Sequence, residues 1–170
     1  MRVHIATDHA GLELSHFLMQ RLSEDGYEMI DHGPAVYDAA DDYPAFCISA
    51  AQGVREDREN GLDSLGIVLG GSGNGEQMAA NLVRGIRAAL VWNEDTARLA
   101  RQHNDAQVIA IGGREHGNDE ALELVRIFLA EPFSGESRHV RRIEQLAEFE
   151  RTGDIAGHLS EVPVRPYAQD

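Results

Sequence analysis

One short stretch of the chain, residues 65–81, combines the groups needed to remove a proton next to a carbonyl. A buried apolar run is followed by a glycine-rich loop and then by a single carboxylate, Glu76. Such a loop before a helix gathers backbone N–H groups that can hold an anion or an oxyanion. A carboxylate beside these donors is suited to proton abstraction. The predicted binding loop comprises Gly70, Gly71, Ser72, Gly73, Asn74 and Gly75.

Two nucleotide-binding signatures fail on this loop. A P-loop needs a lysine followed by Ser or Thr, and the loop has no lysine. The dinucleotide fingerprint needs a third glycine where, counted from Gly71, this chain has Glu76. A tight turn without a ligand, with Glu76 favoured by the helix dipole, is the alternative that residue types alone leave open.

Polar side chains follow two other predicted strands. Asp8 and His9 come directly after the first strand, and Arg114 follows the fifth. Arg138 and Arg142 stand four residues apart on a predicted helix, where two guanidinium groups can share one phosphate dianion. In a parallel sheet the carboxyl ends of the strands meet at one edge, so the turns after these strands are expected to converge there.

Strand and helix patterns alternate along the chain. This alternation predicts an α/β fold: a Rossmann-like, doubly wound, five-stranded parallel sheet with helices on both faces. We expect one domain over residues 1–152 and a C-terminal tail over 153–170. The predicted strands cover residues 2–6, 27–30, 65–69, 87–92 and 107–111, and the predicted helices 12–22, 44–58, 76–81, 96–101, 119–130 and 137–151.

Composition narrows the class of partner. The 170 residues include 29 acidic and 15 basic side chains, a formal charge of −14, which argues against nucleic acid and anionic membranes. No apolar run approaches the roughly 20 residues of a membrane span. A strand begins at the N-terminus, so we expect no signal peptide. One cysteine, Cys47, fits a reducing cytoplasm.

Five motifs together resemble the type B ribose-5-phosphate isomerase family, which also contains the galactose-6-phosphate isomerase subunits. The resemblance covers roughly residues 1–152. The motifs are DHAG at 8–11, DYPAF at 42–46, GGSGNGEQMAAN at 70–81, RQHNDAQVIAIGGR at 101–114 and SRHVRRI at 137–143.

The resemblance implies interconversion of a phosphorylated aldose and ketose through a cis-enediolate, without a metal or organic cofactor. One branch of the family uses a cysteine base at the place where this chain has Gly70, and Cys47 does not match that place. Another, actinobacterial-type branch uses a glutamate, which Glu76 matches. We therefore expect Glu76 to be the base and the loop amides to stabilise the enediolate oxygen.

The remaining roles concern ring opening and phosphate binding. The resemblance makes His103 the proton donor in ring opening, together with Asp8, and Asn104 is expected to bind a substrate hydroxyl or oxyanion. A helix C-cap is the alternative role for Asn104. The predicted phosphate clamp consists of Arg114, Arg138 and Arg142, with His9 close to the phosphate.

The chain position of His103 and Asn104 suggests an oligomer. Both residues precede the fifth strand, whereas Asp8, Glu76 and Arg114 follow their strands. Within one parallel sheet these places lie at opposite edges. We therefore expect a homodimer in which a second subunit supplies His103 and Asn104.

Sugar specificity is left open by the residues. Ribose 5-phosphate is the first choice, and a tetrose, allose or galactose phosphate is the alternative within the same chemistry. A noncatalytic sugar-phosphate sensor is a third possibility, which the joint presence of Glu76, His103 and Asn104 disfavours.

Overall fold

The protein, described here from a computed structural model over residues 1–155 and 158–162, is built around a five-stranded parallel sheet. The strand order is β2-β1-β3-β5-β4, and all four pairings are parallel. This confirms the predicted α/β fold. The strands are β1 (Arg2–Ala6), β2 (Glu28–Asp31), β3 (Ser64–Gly70), β4 (Ala88–Leu90) and β5 (Val108–Gly112).

Helices cover both faces of the sheet because successive strand residues point to opposite sides. Ile67 and Ile109 pack into one core with α1, α4 and α5, whereas Val68 and Ala110 pack into a second core with α2 and α3. Both faces of β3 are buried, which explains its unbroken apolar run. The helices are α1 (Leu12–Glu24), α2 (Tyr43–Glu59), α3 (Asn74–Ala80), α4 (Glu94–Asn104), α5 (Asn118–Ala130), α6 (Ser137–Thr152) and α7 (His158–Glu161).

Capping residues set the helix ends that matter for the site. Asn93 caps α4 by accepting a hydrogen bond from the Thr96 N–H, 2.8 Å long. Asp105 ends α4 with a left-handed φ of 41°. α3 begins at Asn74, two residues before the predicted start, because Gly73 adopts a φ of 78° and turns the chain there.

The chain divides into two compact units, Met1–Ser134 and the described residues from Gly135 onward. The first contains the sheet and α1–α5, and the second contains α6 and α7. The domain boundary at 152 stays a prediction. The predicted tail includes α7, while its residues 156–157 and 163–170 lie outside the described part. None of the described helices has the length and hydropathy needed to cross a bilayer.

Candidate active site

A cavity of about 520 Å³ opens at the carboxyl edge of the sheet. Because β1, β3 and β5 are neighbours, the loops that follow them meet there, as the sequence predicts. The lining residues are Asp8, His9, Ala10, Tyr43, Gly71, Ser72, Gly75, Glu76, Arg114 and Glu115.

Glu76 is the more deeply buried of two buried carboxylates that line this cavity, the other being Asp8. Glu76 lies in the first turn of α3 and is 5% exposed. Burial raises its pKa, the negative charge of Asp8 adds to the increase, and the backbone N–H groups of Glu76 and Gly73 oppose it. A carboxylate with a raised pKa is a stronger base than an ordinary glutamate.

The absence of a side chain at Gly70 makes room for this carboxylate. A Cβ built on Gly70, the last residue of β3, would overlap the Oε1 and Cδ atoms of Glu76. The carboxylate therefore lies directly against the backbone of Gly70. Gly70 itself is buried and does not line the cavity.

The glycine loop is tied to the turn that follows β5. The Gly113 N–H donates to the Gly70 carbonyl at 2.8 Å, and the Arg114 N–H donates to the Gly71 carbonyl at 3.1 Å. At Gly73, a Cβ would lie 3.0 Å from the Ile111 carbonyl carbon, so the loop packs closely on β5. These contacts hold the loop amides in a fixed arrangement, as an oxyanion site requires.

Asn74 and Gly73 play supporting parts in the loop. The Asn74 amide donates to the Ser72 hydroxyl at 3.2 Å, and its side chain lines a neighbouring cavity of about 320 Å³. Neither Gly73 nor Asn74 lines the cavity that contains Glu76. Their direct contact with substrate stays a prediction.

Asp8 and His9, in the turn after β1, also line the cavity. Asp8 is 8% exposed, and its Oδ1 accepts a hydrogen bond from the Ala10 N–H at 2.9 Å, which fixes the turn after β1. His9 donates to Asp41 Oδ1 twice, from its backbone N–H at 3.0 Å and from ring Nδ1 at 2.7 Å. The Nε2 atom of His9 is consequently the ring atom left for a ligand.

Asp41 and Tyr43 are site residues that the sequence analysis missed. Burial opposes ionisation of Asp41, but the hydrogen bonds from His9 outweigh it and lower the pKa of Asp41. Tyr43 begins α2 and packs over Gly75, where a Cβ would lie 2.5 Å from the Tyr43 hydroxyl. Tyr43 belongs to the DYPAF motif, and Asp41 belongs to an acidic loop, DAADD at 38–42. Neither pattern distinguishes a site residue from a solubilising one.

The predicted phosphate ligands fall in different units. Arg114 lines the cavity, and its guanidinium lies beside Gly71. Arg138 and Arg142 lie four residues apart on α6 in the second unit, where Arg138 Nε is 2.8 Å from Glu136 Oε2. Their part in a clamp with Arg114 stays a prediction.

His103 and Asn104 lie away from the cavity of their own chain. They occupy the last turn of α4, before β5, and neither lines the cavity. The Asn104 carbonyl accepts a hydrogen bond of 2.7 Å from Arg87 Nε, which holds this turn at the amino edge of the sheet. Their expected roles in the chemistry stay predictions.

Cys47 is unsuited to act as a base. It is fully buried in the core between α2 and the sheet. Burial raises its pKa to about 12, and the negative charges of Glu76 and Asp8 add to this effect. The thiol is therefore protonated at neutral pH.

Asp8, His9 and Asp41 are also the cluster of possible metal ligands among residues 1–155 and 158–162. One ligand atom from each lies within 4.8 Å of the others. Asp41 Oδ1 already accepts two hydrogen bonds from His9, so the geometry is accounted for by hydrogen bonding.

Comparison with known proteins gives consistent matches over nearly the whole chain. The family model described as Ribose/Galactose Isomerase matches residues 3–146. Ribose-5-phosphate isomerase B of Mycolicibacterium paratuberculosis is 56% identical over 152 residues, which are 89% of this chain and 93% of that protein. The Mycobacterium tuberculosis H37Rv protein of the same name is also 56% identical, over 89% of this chain and 91% of its own length.

Solved structures of ribose-5-phosphate isomerase B proteins have a similar fold. The crystal structure of ribose-5-phosphate isomerase B from Mycoplasma genitalium with bound ribulose-5-phosphate superposes with a TM-score of 0.82 at 39% identity. The match covers 89% of this chain and 97% of that one. The enzyme of that name from Clostridium thermocellum gives a TM-score of 0.82 at 38% identity, over 91% of this chain and 100% of that one.

Proposed function

The chain belongs to the ribose/galactose isomerase family, and from this premise we propose that it interconverts D-ribose 5-phosphate and D-ribulose 5-phosphate. The observation that carries the proposal is the buried carboxylate of Glu76, held against Gly70 in a cavity that also contains Arg114. Relatives named ribose-5-phosphate isomerase B support the choice of a pentose phosphate. The reaction belongs to the non-oxidative branch of the pentose phosphate pathway.

Glu76 is the proposed base. Its carboxylate removes the proton from C2 of the open-chain aldose, and the electron pair of the C–H bond forms the C1–C2 double bond of a cis-enediolate. The same carboxyl group then returns this proton to C1. The hydroxyl proton of O2 passes to O1, which took the electron pair of the C1 carbonyl in the first step, and the C2 carbonyl of the ketose forms. Burial raises the pKa of Glu76, which strengthens it as a base for this carbon acid.

The amides of the loop from Gly71 to Gly75 are the proposed donors to the enediolate oxygen. Their support is the fixed packing of this loop on the turn after β5. Donors that need no rearrangement stabilise developing charge most effectively, and one such donor is typically worth on the order of 100-fold or more in rate. Ser72 lines the same cavity and adds a hydroxyl.

Arg114, together with Arg138, Arg142 and His9, is proposed to bind the phosphate. Arg114 and His9 line the cavity, and the spacing of Arg138 and Arg142 puts two guanidinium groups on one face of α6. The Asp41 carboxylate leaves Nε2 of the His9 ring available to the ligand.

Asp8 and His103 are proposed to move the proton in ring opening, with Asn104 binding a hydroxyl or oxyanion. Because His103 and Asn104 lie at the amino edge of the sheet, we propose that a partner subunit supplies them and that the homodimer is the catalytic unit. The single cysteine fits a reducing compartment, and the cytoplasm is the proposed location.

Mixing two inactive variants tests the shared site. In a heterodimer of Glu76→Gln and His103→Ala chains, one of the two sites is intact if the residues come from different subunits. Activity should therefore reappear on mixing. Inactivity of mixtures in which subunit exchange has been demonstrated would rule out the shared site.

A coupled isomerase assay tests the activity itself. Ribose 5-phosphate is compared with allose 6-phosphate, erythrose 4-phosphate and unphosphorylated ribose, for the wild type and Glu76→Gln. Loss of the general base should lower kcat for ribose 5-phosphate by about 10²–10⁴-fold. Glu115→Gln is the matched control, since Glu115 lines the same cavity but is exposed. Turnover of a different sugar phosphate would show that the enzyme is an isomerase of that sugar. Inactivity on all of them, with sugar-phosphate binding intact, would favour a noncatalytic sensor.

A further inference from the structure

A cavity of about 300 Å³ lies at the amino edge of the sheet, at the opposite end from Glu76. It is an open cavity lined by the end of α2, the turn before β4 and the residue before β5, and Arg58 and Arg84 are exposed at its rim. Its lining residues are Arg55, Arg58, Glu59, Arg84, Gly85, Ile86 and Gln107.

Three guanidinium groups face this cavity and one carboxylate opposes them. The excess is local, since the chain as a whole carries a formal charge of −14. Like charges brought together in one cavity repel one another unless an anion joins them. The amino-edge cavity is thus a concentration of positive charge on an acidic protein.

The hydrogen-bonding capacity of these arginines is largely unused. Within the described residues, Arg84 makes no hydrogen bond or ion pair, and Arg58 makes one long contact of 3.4 Å to the Ser64 carbonyl. Arg55 Nε is buried without a hydrogen-bond partner and lies 3.6 Å from Glu59 Oε1. A buried donor left unsatisfied in this way is costly, and a ligand oxygen would satisfy it.

The amino-edge cavity is separate from the catalytic cavity. β3 runs from Ser64 beside the first to Gly70 beside the second. At about 3.3 Å per residue, these ends lie about 20 Å apart. One small ligand cannot span both.

We propose that the amino-edge cavity is a second anion site, which binds a phosphate dianion as inorganic phosphate or as the phosphoryl group of a small phosphomonoester. The planar fork of a guanidinium matches phosphate oxygens, and three arginines line this one cavity. The proposed site shares no lining residue with the catalytic cavity and does not rest on the proposed role of Arg114.

Stabilisation of α2 is a simpler role for Arg58, and the test must distinguish it from phosphate binding. It lies in the last turn of α2, where the helix dipole favours a cation. If helix stabilisation were the whole role of the cluster, neutral variants would lose thermal stability equally with and without phosphate. If the cluster binds phosphate, added phosphate should stabilise the wild type, and the neutral variants should lose this stabilisation.

The test is isothermal titration of the full chain with inorganic phosphate at constant ionic strength, with glycerol phosphate as the phosphomonoester. The variants are Arg55→Gln/Arg84→Gln, Arg114→Gln and, as a matched surface control, Arg98→Gln, whose residue pairs with Glu94 on α4. Arg84→Gln alone serves if the double variant fails to fold, because Arg84 is exposed.

Two sites per chain are expected in the wild type and in Arg98→Gln. The double variant should bind phosphate at the amino-edge cavity at least about tenfold more weakly, with kcat and KM for ribose 5-phosphate unchanged. Arg114→Gln should weaken the other site alone. If only one of the two ligands, inorganic phosphate or glycerol phosphate, binds at the amino-edge cavity, that result identifies which kind of phosphate the site takes. A single site that Arg114→Gln weakens and Arg55→Gln/Arg84→Gln leaves unchanged would overturn the proposal.

Discussion

Gly70→Ala should lower kcat strongly although the substitution replaces no ionisable residue. The new methyl group would overlap the Glu76 carboxylate, which must move by roughly 1 Å or more to regain a van der Waals distance. A displacement of about 1 Å from the reactive geometry can lower a rate on the order of 100-fold. Because Gly70 does not have a positive φ, alanine fits its backbone, and the expected effect comes from displacement of Glu76, the proposed base.

The assay is steady-state kinetics on ribose 5-phosphate, with circular dichroism to confirm folding. We expect kcat to fall on the order of 100-fold and KM to change little, because the proposed phosphate ligand Arg114 is unaffected. Combining Gly70→Ala with Glu76→Gln should add little to the loss caused by Glu76→Gln, since both remove the same function. Gly113→Ala is the matched control, because its nearest contact would be an ordinary 3.4 Å. A folded Gly70→Ala variant with kcat within about threefold of wild type would refute the reasoning.

Three further predictions follow from burial and charge. Asp8→Asn removes a negative charge that helps raise the pKa of Glu76, so the acid limb of the kcat/KM profile should move to lower pH; an unmoved limb would contradict this. The raised pKa of Glu76 means that the native state binds more protons than the unfolded state between pH 4.5 and that pKa, so stability is lost as pH rises through this window. Glu76→Gln should therefore raise the thermal midpoint at pH 7 but not at pH 4, and an equal change at both would reject the linkage. Gly53→Ala should lower the thermal midpoint by about 4–8 °C, which corresponds to a loss of about 2 kcal/mol in the free energy of unfolding, because a Cβ there overlaps the buried His4 ring. Gly117→Ala is the control, because open space surrounds Gly117 and the midpoint should not change.

The sequence predicted the fold well because its signals are local and strong. The apolar run of β3 and the periodicity of the long helices each needed only a short window of residues. The predicted positions of β3, α1, α2, α5 and α6 agree with the structure within one or two residues, whereas α4 continues three residues beyond its predicted end. The end of β4 was less predictable: the apolar pattern extends through Trp92, but pairing with β5 ends at Leu90. Strand ends depend on a neighbour's register, which one sequence segment does not contain.

The candidate site was predictable where chemistry is concentrated in motifs. Asp8, Glu76 and Arg114 follow strands that the structure places side by side. Asp41 was missed because its significance lies in a contact with His9, 32 residues earlier in the chain. An acidic loop predicts solubility equally well until its partner is known.

Gly70 and Glu76 belong together for a steric reason. The resemblance puts the base of another branch, a cysteine, at the position that Gly70 occupies here. A side chain at that position and the Glu76 carboxylate would fill the same volume, so a chain can use one base or the other. The Glu76 carboxylate can therefore occupy its position only if residue 70 is glycine. The presence of both residues predicts a glutamate base more strongly than either residue alone. Gly70→Cys should inactivate the enzyme as Gly70→Ala does, whereas Gly70→Cys combined with Glu76→Ala removes the overlap and is the variant in which a thiolate base can operate.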